Sequence, residues 1–144
     1  MPAAKRDNPI KVCRDVNALL PAFRLALVLA LEQANRETVG KFTNFYAWVI
    51  FETYRSQTRQ DYLYAQGRTR PGSIVTHTKH SRHTERDAAD IVWLDRKGRF
   101  HWDGPLVLWQ ILGHAARTYG LEWGGDWSSF VDLPHIQAKA REVP

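Results

Sequence analysis

The sequence predicts a small α+β domain in which helices flank an antiparallel sheet. Three observations predict it. A long apolar helical stretch lies near the start, a second helix with clear apolar spacing lies near the end, and short aromatic or β-branched runs of strand length separate and follow them. The chain has 144 residues, which is room for one hydrophobic core. It is 44% hydrophobic and 12% aromatic, a composition that excludes a disordered chain. No repeat, linker or low-complexity tract interrupts it. The organisation reads as a polar, loosely held arm over residues 1–14 and a single domain over residues 15–144.

Asp15 is placed to cap a short turn, and Pro21 suits the first turn of a helix from Ala22 to about Asn35. The apolar positions of that helix (Phe23, Leu25, Leu27, Val28, Leu29, Leu31) cover most of its circumference, which predicts a core helix. Tyr46 to Tyr54 is aromatic and β-branched and reads as a strand. Ser56 is a good N-cap and Gly67 a good C-cap for a short helix, with Tyr62, Leu63 and Ala65 or Gln66 on its inner face. Residues 69–87 form a long polar connection, of a length that in compact domains belongs to functional or mobile loops. "AADIVWLD" is a second strand and "GRFHWDG" turns back as a third. "PLVLWQILGHAARTYG" is the clearest helix, with Pro105 at its start, Leu106, Trp109, Leu112 or Gly113 and Ala116 at helical spacing, and Gly120 as its stop. "LEWGGDWSS" reads as a Gly/Trp loop and "FVDLPHIQ" as a last extended segment.

The single cysteine, Cys13, rules out a disulfide within the chain and a cysteine-based metal site, and fits a reducing cytoplasm. The first fifteen residues lack an apolar run, so no signal peptide is expected. The most apolar window, Leu19 to Ala34, contains Arg24 and falls short of the roughly 20 residues a membrane span needs. It is read as a buried helix, and no stable membrane insertion is expected. A net charge of +5 and a pI near 9.6 favour polyanionic partners without choosing among nucleic acid, anionic lipid and cell-wall polymers. The loop cations Arg68, Arg70, Lys79, Arg82 and Arg86 read as a solvated face that also draws in acidic substrates.

Histidine and carboxylate side chains are the remaining route to chemistry. His77, His80, His83, His101, His114 and His135, with Glu85, Asp87, Asp90 and Asp132, are the candidate metal ligands, of which a catalytic centre needs about three and an open position. His101 and His114 read as hydrogen-bonded or surface residues. The His77/His80/His83 ladder shares a face only in a helix, and its Thr-, Ser- and Lys-rich sequence is a poor helix. His83 at the loop end and Asp90 where an apolar strand begins are better supported, and Pro134 turns Asp132 and His135 into a bend. Spacing alone suggests a His83/Asp90/His135 site without forcing it.

Taken together, "TYRSQTRQDYLYAQGRTRPGSIVT", "SRHTERDAAD", "WGGDW" and "FVDLPHIQ" resemble the M15 family of zinc peptidases that act on peptidoglycan, over about Asp15 to Gln137. The likeness is to the phage endolysin branch that cuts between L-alanine and D-glutamate, next to D-alanyl-D-alanine carboxypeptidases. The family's S-x-H-x(6)-D motif falls on Ser81, His83 and Asp90, and its carboxylate-x-x-His on Asp132 and His135. The resemblance implies a zinc ion at the sheet edge held by His83, Asp90 and His135. It implies Asp132 as the general base that takes a proton from the attacking water and returns it to the leaving amine, and Arg55 as the oxyanion donor. Residual positive charge on such a centre acidifies water, and a guanidinium stabilises charge that appears only in the transition state. Ser81, Gln60 and Trp123 are the candidate substrate-binding residues. Ser81 and Gln60 read equally as structural hydrogen-bonding residues or as groups that orient a metal ligand. Trp123 and Trp127 read first as core and rim residues and only then as groove wall, and His77 and His80 read as solvated loop residues or as shapers of the groove. Arg86 stands where the family usually has glycine. It predicts a different local turn, or a loop held by a salt bridge to Glu85 or Asp87.

The function expected is a monomeric zinc peptidase of the endolysin type, held in the host cytoplasm and acting on the stem peptides of the wall after release. The alternative within the class is a D-Ala-D-Ala carboxypeptidase or dipeptidase. The alternative outside it is a basic nucleic-acid-binding module with a structural zinc, against which stand the missing recognition motifs and the purposeless Asp132. A family member that binds without catalysis is disfavoured by Asp132 and Arg55.

Overall fold

The computed structural model describes residues 8–140. Residues 1–7 of the predicted arm and residues 141–144 at the end of the predicted domain lie outside the described residues. The elements run α1 (Pro21–Thr38), β1 (Phe45–Glu52), α2 (Gln57–Ala65), β2 (Ala88–Asp95), β3 (Phe100–His101), α3 (Leu106–Thr118), β4 (Leu121–Trp123) and β5 (His135–Ala138), with 3-10 turns at Val16–Ala18, Arg82–Glu85 and Gly124–Asp126. Every strand pair is antiparallel, in the order β1-β2-β5-β4, and β3 pairs with β2. The α+β reading with an antiparallel sheet holds.

Residues 9–14 are not loose. Thr53 N donates to the Cys13 carbonyl at 2.8 Å, Ser56 Oγ to the Pro9 carbonyl at 2.7 Å, and Arg59 Nη1 to the Ile10 carbonyl at 2.9 Å. Asp15 caps its turn by accepting from Asn17 N, as expected. Helix α1 runs three residues past Asn35, because Asn35 Oδ1 accepts from Trp48 N at 2.7 Å and Thr38 Oγ1 from Trp48 Nε1 at 3.0 Å. Contacts to a strand distant in sequence extend it. Its buried face is the stripe Phe23, Leu27, Ala30, Ala34 and Thr38, while Leu25 is 63% exposed. The prediction of burial all round is therefore corrected: an amphipathic stripe packs on α3, and the other leucines cover it only in part.

Cross-strand partners share a face, so the register sorts the sheet into two sides. Trp48 opposite Trp93, Ile50 opposite Ile91 and Ala89 opposite Ile136 all enter the core under α1 and α3. A register shift between Ile50 and Glu52 turns Glu52 to the second face. There Glu52 stands opposite Asp90, Asp90 opposite His135, and Gln137 opposite Glu122. One face carries the core, and the other carries a row of polar groups.

Two expectations change in this region. The inner face of α2 is polar: Gln60 is its fully buried side chain, and Tyr62 is exposed beneath Arg70. The helix lies over the polar row, not over the core. "LEW", read as loop, is strand β4, because the β5 backbone supplies partners for all three residues. Trp123 then sinks to 3% exposure against α3, where a Cβ on Gly113 would lie 2.2 Å from its ring.

Candidate metal centre and cleft

The row on the second face is completed by His83. Its 3-10 turn begins at Ser81, whose hydroxyl accepts from His83 N at 3.1 Å, and it ends at Arg86. Arg86 has φ +64°, so the left-handed turn that glycine would favour is kept by an arginine. The expected salt bridges to Glu85 or Asp87 are absent from Arg86. Instead its guanidinium sits 3.9 Å from the Tyr54 ring centroid and donates to the Ala18 carbonyl at 2.9 Å, and Arg82 pairs with Asp87.

His83, Asp90 and His135 each offer one donor atom, and the three atoms lie within 4.8 Å of one another. His83 Nε2 is 3.3 Å and His135 Nδ1 3.5 Å from the same oxygen, Asp90 Oδ1. The tautomers follow from the outer contacts. His83 Nδ1 is 2.8 Å from the Thr53 carbonyl, which only accepts, so Nδ1 carries the proton and Nε2 turns its lone pair inward. Gln137 Nε2 donates to the Glu122 carboxylate, which fixes Gln137 Oε1 as the group 2.8 Å from His135 Nε2. His135 Nε2 therefore donates and Nδ1 faces Asp90. Two imidazole lone pairs and a carboxylate oxygen converge, an arrangement that repels unless a cation lies among them. Donors at about 2.0–2.1 Å from a tetrahedral zinc are separated by about 3.3 Å, so this set fits such an ion. The centre spans the inner strands β2 and β5, close to where each begins, and not an edge strand.

The field of the cluster points the same way. Burial opposes ionisation of Asp90, yet the neighbouring His83 and His135 imidazoles carry its carboxyl well below the usual carboxylate range. Burial pulls the His135 imidazole down, but Asp90 and then Asp132 raise it overall. Asp132 is raised by burial and by the charge of Asp90. It sits in a turn that closes on Gly124, where a Cβ would lie 2.3 Å from the Asp132 carbonyl oxygen, so only glycine admits this approach.

The centre floors a cleft of about 840 Å³ that Arg55, Ser81, Trp127 and Asp132 also line. Arg55 is held on three sides: Nη2 is 2.6 Å from Glu52 Oε1 and 3.5 Å from Asp90 Oδ2, and Nη1 donates to Gln60 Oε1 at 2.8 Å. Two sequence assignments are corrected here. Trp123 is a core residue whose indole donates to the Leu133 carbonyl at 2.7 Å, and Trp127, 5.1 Å from the His135 ring, is the tryptophan at the cleft. Gln60 is fully buried, and it braces Arg55 and the Thr78 carbonyl instead of meeting substrate. His101 and His114 lie outside the site, His101 bonded to Asp95 at 2.8 Å and His114 exposed. His77 and His80 both line the cleft, which favours the groove-shaping reading of this pair.

The sequence reading missed Glu52, Gln137 and Glu122. Glu52, 2% exposed, neutralises both Arg55 and Arg59, whose hydrogen bonds outweigh burial and lower its carboxyl. Its signal was present: a glutamate ending an apolar strand, with arginines three and seven residues on. Gln137, two residues after His135, was visible once a strand was assigned there, whereas Glu122 needed the β4–β5 pairing.

Fold and site together define a cleft with a candidate metal centre on its floor, and comparison with known proteins finds M15 peptidases among those similar to it. Residues 75–138 match the sequence model of an M15 peptidase family described as D-alanyl-D-alanine carboxypeptidase, a span that holds all three donors and Asp132. The peptidoglycan L-alanyl-D-glutamate endopeptidase CwlK of Bacillus subtilis (strain 168) is 39% identical over 98 residues, 62% of this chain and 59% of that protein. An L-alanyl-D-glutamate peptidase of Listeria phage A118 is 68% identical over 94 residues, 62% of this chain and 29% of that protein. The chain thus spans less than two thirds of the length of either curated relative. The L-Ala D-Glu endopeptidase ChiX of Serratia marcescens shares the fold, with a TM-score of 0.61 at 23% identity over 90% of this chain and 89% of that one. The M15 resemblance read from the sequence therefore holds.

Proposed function

We propose that this chain is a zinc peptidase that hydrolyses the stem peptide of bacterial peptidoglycan at the L-alanyl-D-glutamate bond, as a phage-type endolysin. The single observation that carries the reading is the convergence of two imidazole lone pairs and a carboxylate oxygen on the floor of a cleft lined by Asp132 and Arg55. His83, Asp90 and His135 would hold the ion, and zinc so bound supplies Lewis-acid polarisation of a carbonyl and acidifies water. The chain's own groups do the rest. Asp132 accepts the proton of the attacking water as oxygen adds to the scissile carbonyl carbon, and passes it to the nitrogen as the C–N bond breaks. Arg55, anchored by Glu52 and Gln60, presents a fixed guanidinium to the developing oxyanion. Thr53 and Gln137 hold the imidazoles in the tautomers that face the centre.

The names of the two curated relatives support the L-alanyl-D-glutamate bond, and the phage relative supports the endolysin setting, with action on the wall. The name of the matched family supports a second reading, release of a terminal D-alanine. Digestion of purified peptidoglycan, with and without a chelator, separates the two by mass analysis of the fragments. A new N-terminal D-glutamate that disappears with chelator is the expected product. Free D-alanine establishes the second reading, and no chelator-sensitive product rejects both.

A further inference from the structure

The loop between α2 and β2 and the loop between β4 and β5 form the two banks of the cleft, and they meet at His77 and Phe130. The His77 ring stacks on the Phe130 ring with centroids 3.8 Å apart and planes 25° from parallel. Both residues line the cleft. Phe130 is 63% exposed and has φ +52°, a left-handed backbone that a bulky side chain adopts at a cost of about 1–2 kcal/mol. The core does not compensate that cost, since the ring is in solvent and touches the other bank. Backbone strain of this kind collects at ligand clamps, where the surrounding structure holds it for a purpose. Ile74, Val75 and Val131, each about half exposed, extend the same wall and make it apolar.

We infer that His77 and Phe130 form a clasp across the cleft that grips the apolar part of an extended peptide beside the metal centre. This rests on the peptidase reading above and adds substrate-contact residues to it. An aromatic pair offers its faces to small aliphatic side chains flanking the scissile bond, and Asp132, two residues beyond Phe130, leaves the same bank for the chemistry. Because the grip is made on side chains and not on the atoms of the scissile bond, it acts equally on bound substrate and transition state, so its loss raises KM and leaves kcat in place.

The test uses the zinc-loaded chain and a soluble stem-peptide fragment. Phe130→Gly removes the ring while glycine accepts φ +52° without strain, so the path to Asp132 is preserved. His77→Ala removes the other half. Each variant is expected to raise KM about tenfold at unchanged kcat, the double variant no more than either alone, and His77→Phe to restore the native KM. Thermal midpoints no lower than the native one separate this from misfolding. Titration of the fragment into the chelated protein, read by quenching of tryptophan fluorescence at Trp102 and Trp127 in the cleft, should show the same tenfold loss of binding. An active native chain whose variants keep their KM overturns the clasp alone, as does a fall in kcat at constant KM. A native chain that leaves the fragment intact overturns the peptidase function and the clasp with it.

Discussion

At the scale of single residues, the site is a set of side chains whose electron pairs and protons are assigned by their neighbours. Asp90 gives one oxygen to the two histidines and turns the other toward Arg55. Asp132 takes no part in that triad, so its removal separates metal binding from catalysis. Asp132→Ala is expected to bind zinc with native stoichiometry in calorimetry while peptidoglycan clearing falls about 10²–10⁴-fold, the usual worth of a positioned general base. Clearing at the native rate would strike Asp132 from that role. Gln137 acts one step further out. Gln137→Ala leaves the outward proton of His135 without its acceptor, and competition titration should show zinc affinity about 10–100-fold weaker. The Arg86 turn belongs to this scale as well: its contacts with Tyr54 and Ala18 hold a backbone conformation that the residue type by itself disfavours.

At the scale of elements, the packing of α3 on β4 shows why a helix tolerates an interior glycine. Glycine costs a helix about 1 kcal/mol relative to alanine, yet Gly113 is where the Trp123 ring lies. Gly113→Ala is expected to lower stability by about 1–3 kcal/mol through overpacking, despite its better helix propensity. A urea melt reads this directly, and a stabilised variant would mean that Trp123 moves aside at little cost. The same elements carry the site. β4 brings Glu122 beside Gln137, so slippage of this short pair reaches His135 through hydrogen bonds as well as through packing.

At the scale of the whole molecule, both faces of one sheet are in use, and part of the acid response of the fold is set far from the centre. Asp95, 1% exposed, accepts from His101, from Arg99 through backbone and side chain, and from Lys97 N. The His101 hydrogen bond first, and the Arg99 backbone contact after it, hold its carboxyl far below the usual range. A carboxyl depressed in the folded state stabilises it above the unfolded value, near 3.9, and that contribution is lost as pH falls toward the folded value. Urea midpoints should therefore hold steady down to about pH 5 and drop below about pH 4. Asp95→Asn should start lower at pH 7 and lose part of that drop. A variant with the native pH profile would place the acid sensitivity elsewhere. Among the described residues, no helix is long and apolar enough to cross a membrane.

Much of this protein was legible in one dimension, because the information is local. Caps, prolines and glycines mark where α2 and α3 begin or end, and the predicted second strand coincides with β2 residue for residue. The likeness of Ser81, His83, Asp90, Asp132 and His135 to a known motif pointed at the centre that the fold assembles. What only the tertiary structure decided depends on groups far apart in sequence. Trp48 draws α1 onward to Thr38, β5 makes a strand of "LEW", and Gly113 draws Trp123 inward, leaving Trp127 at the cleft. The outer anchors at Thr53, Glu52 and Glu122, and the His77–Phe130 contact, are likewise pairings across strands and loops. Their physical reason is the same in each case: a hydrogen bond or a packed ring is fixed by its partner's position, and register and packing set that position where local propensity cannot.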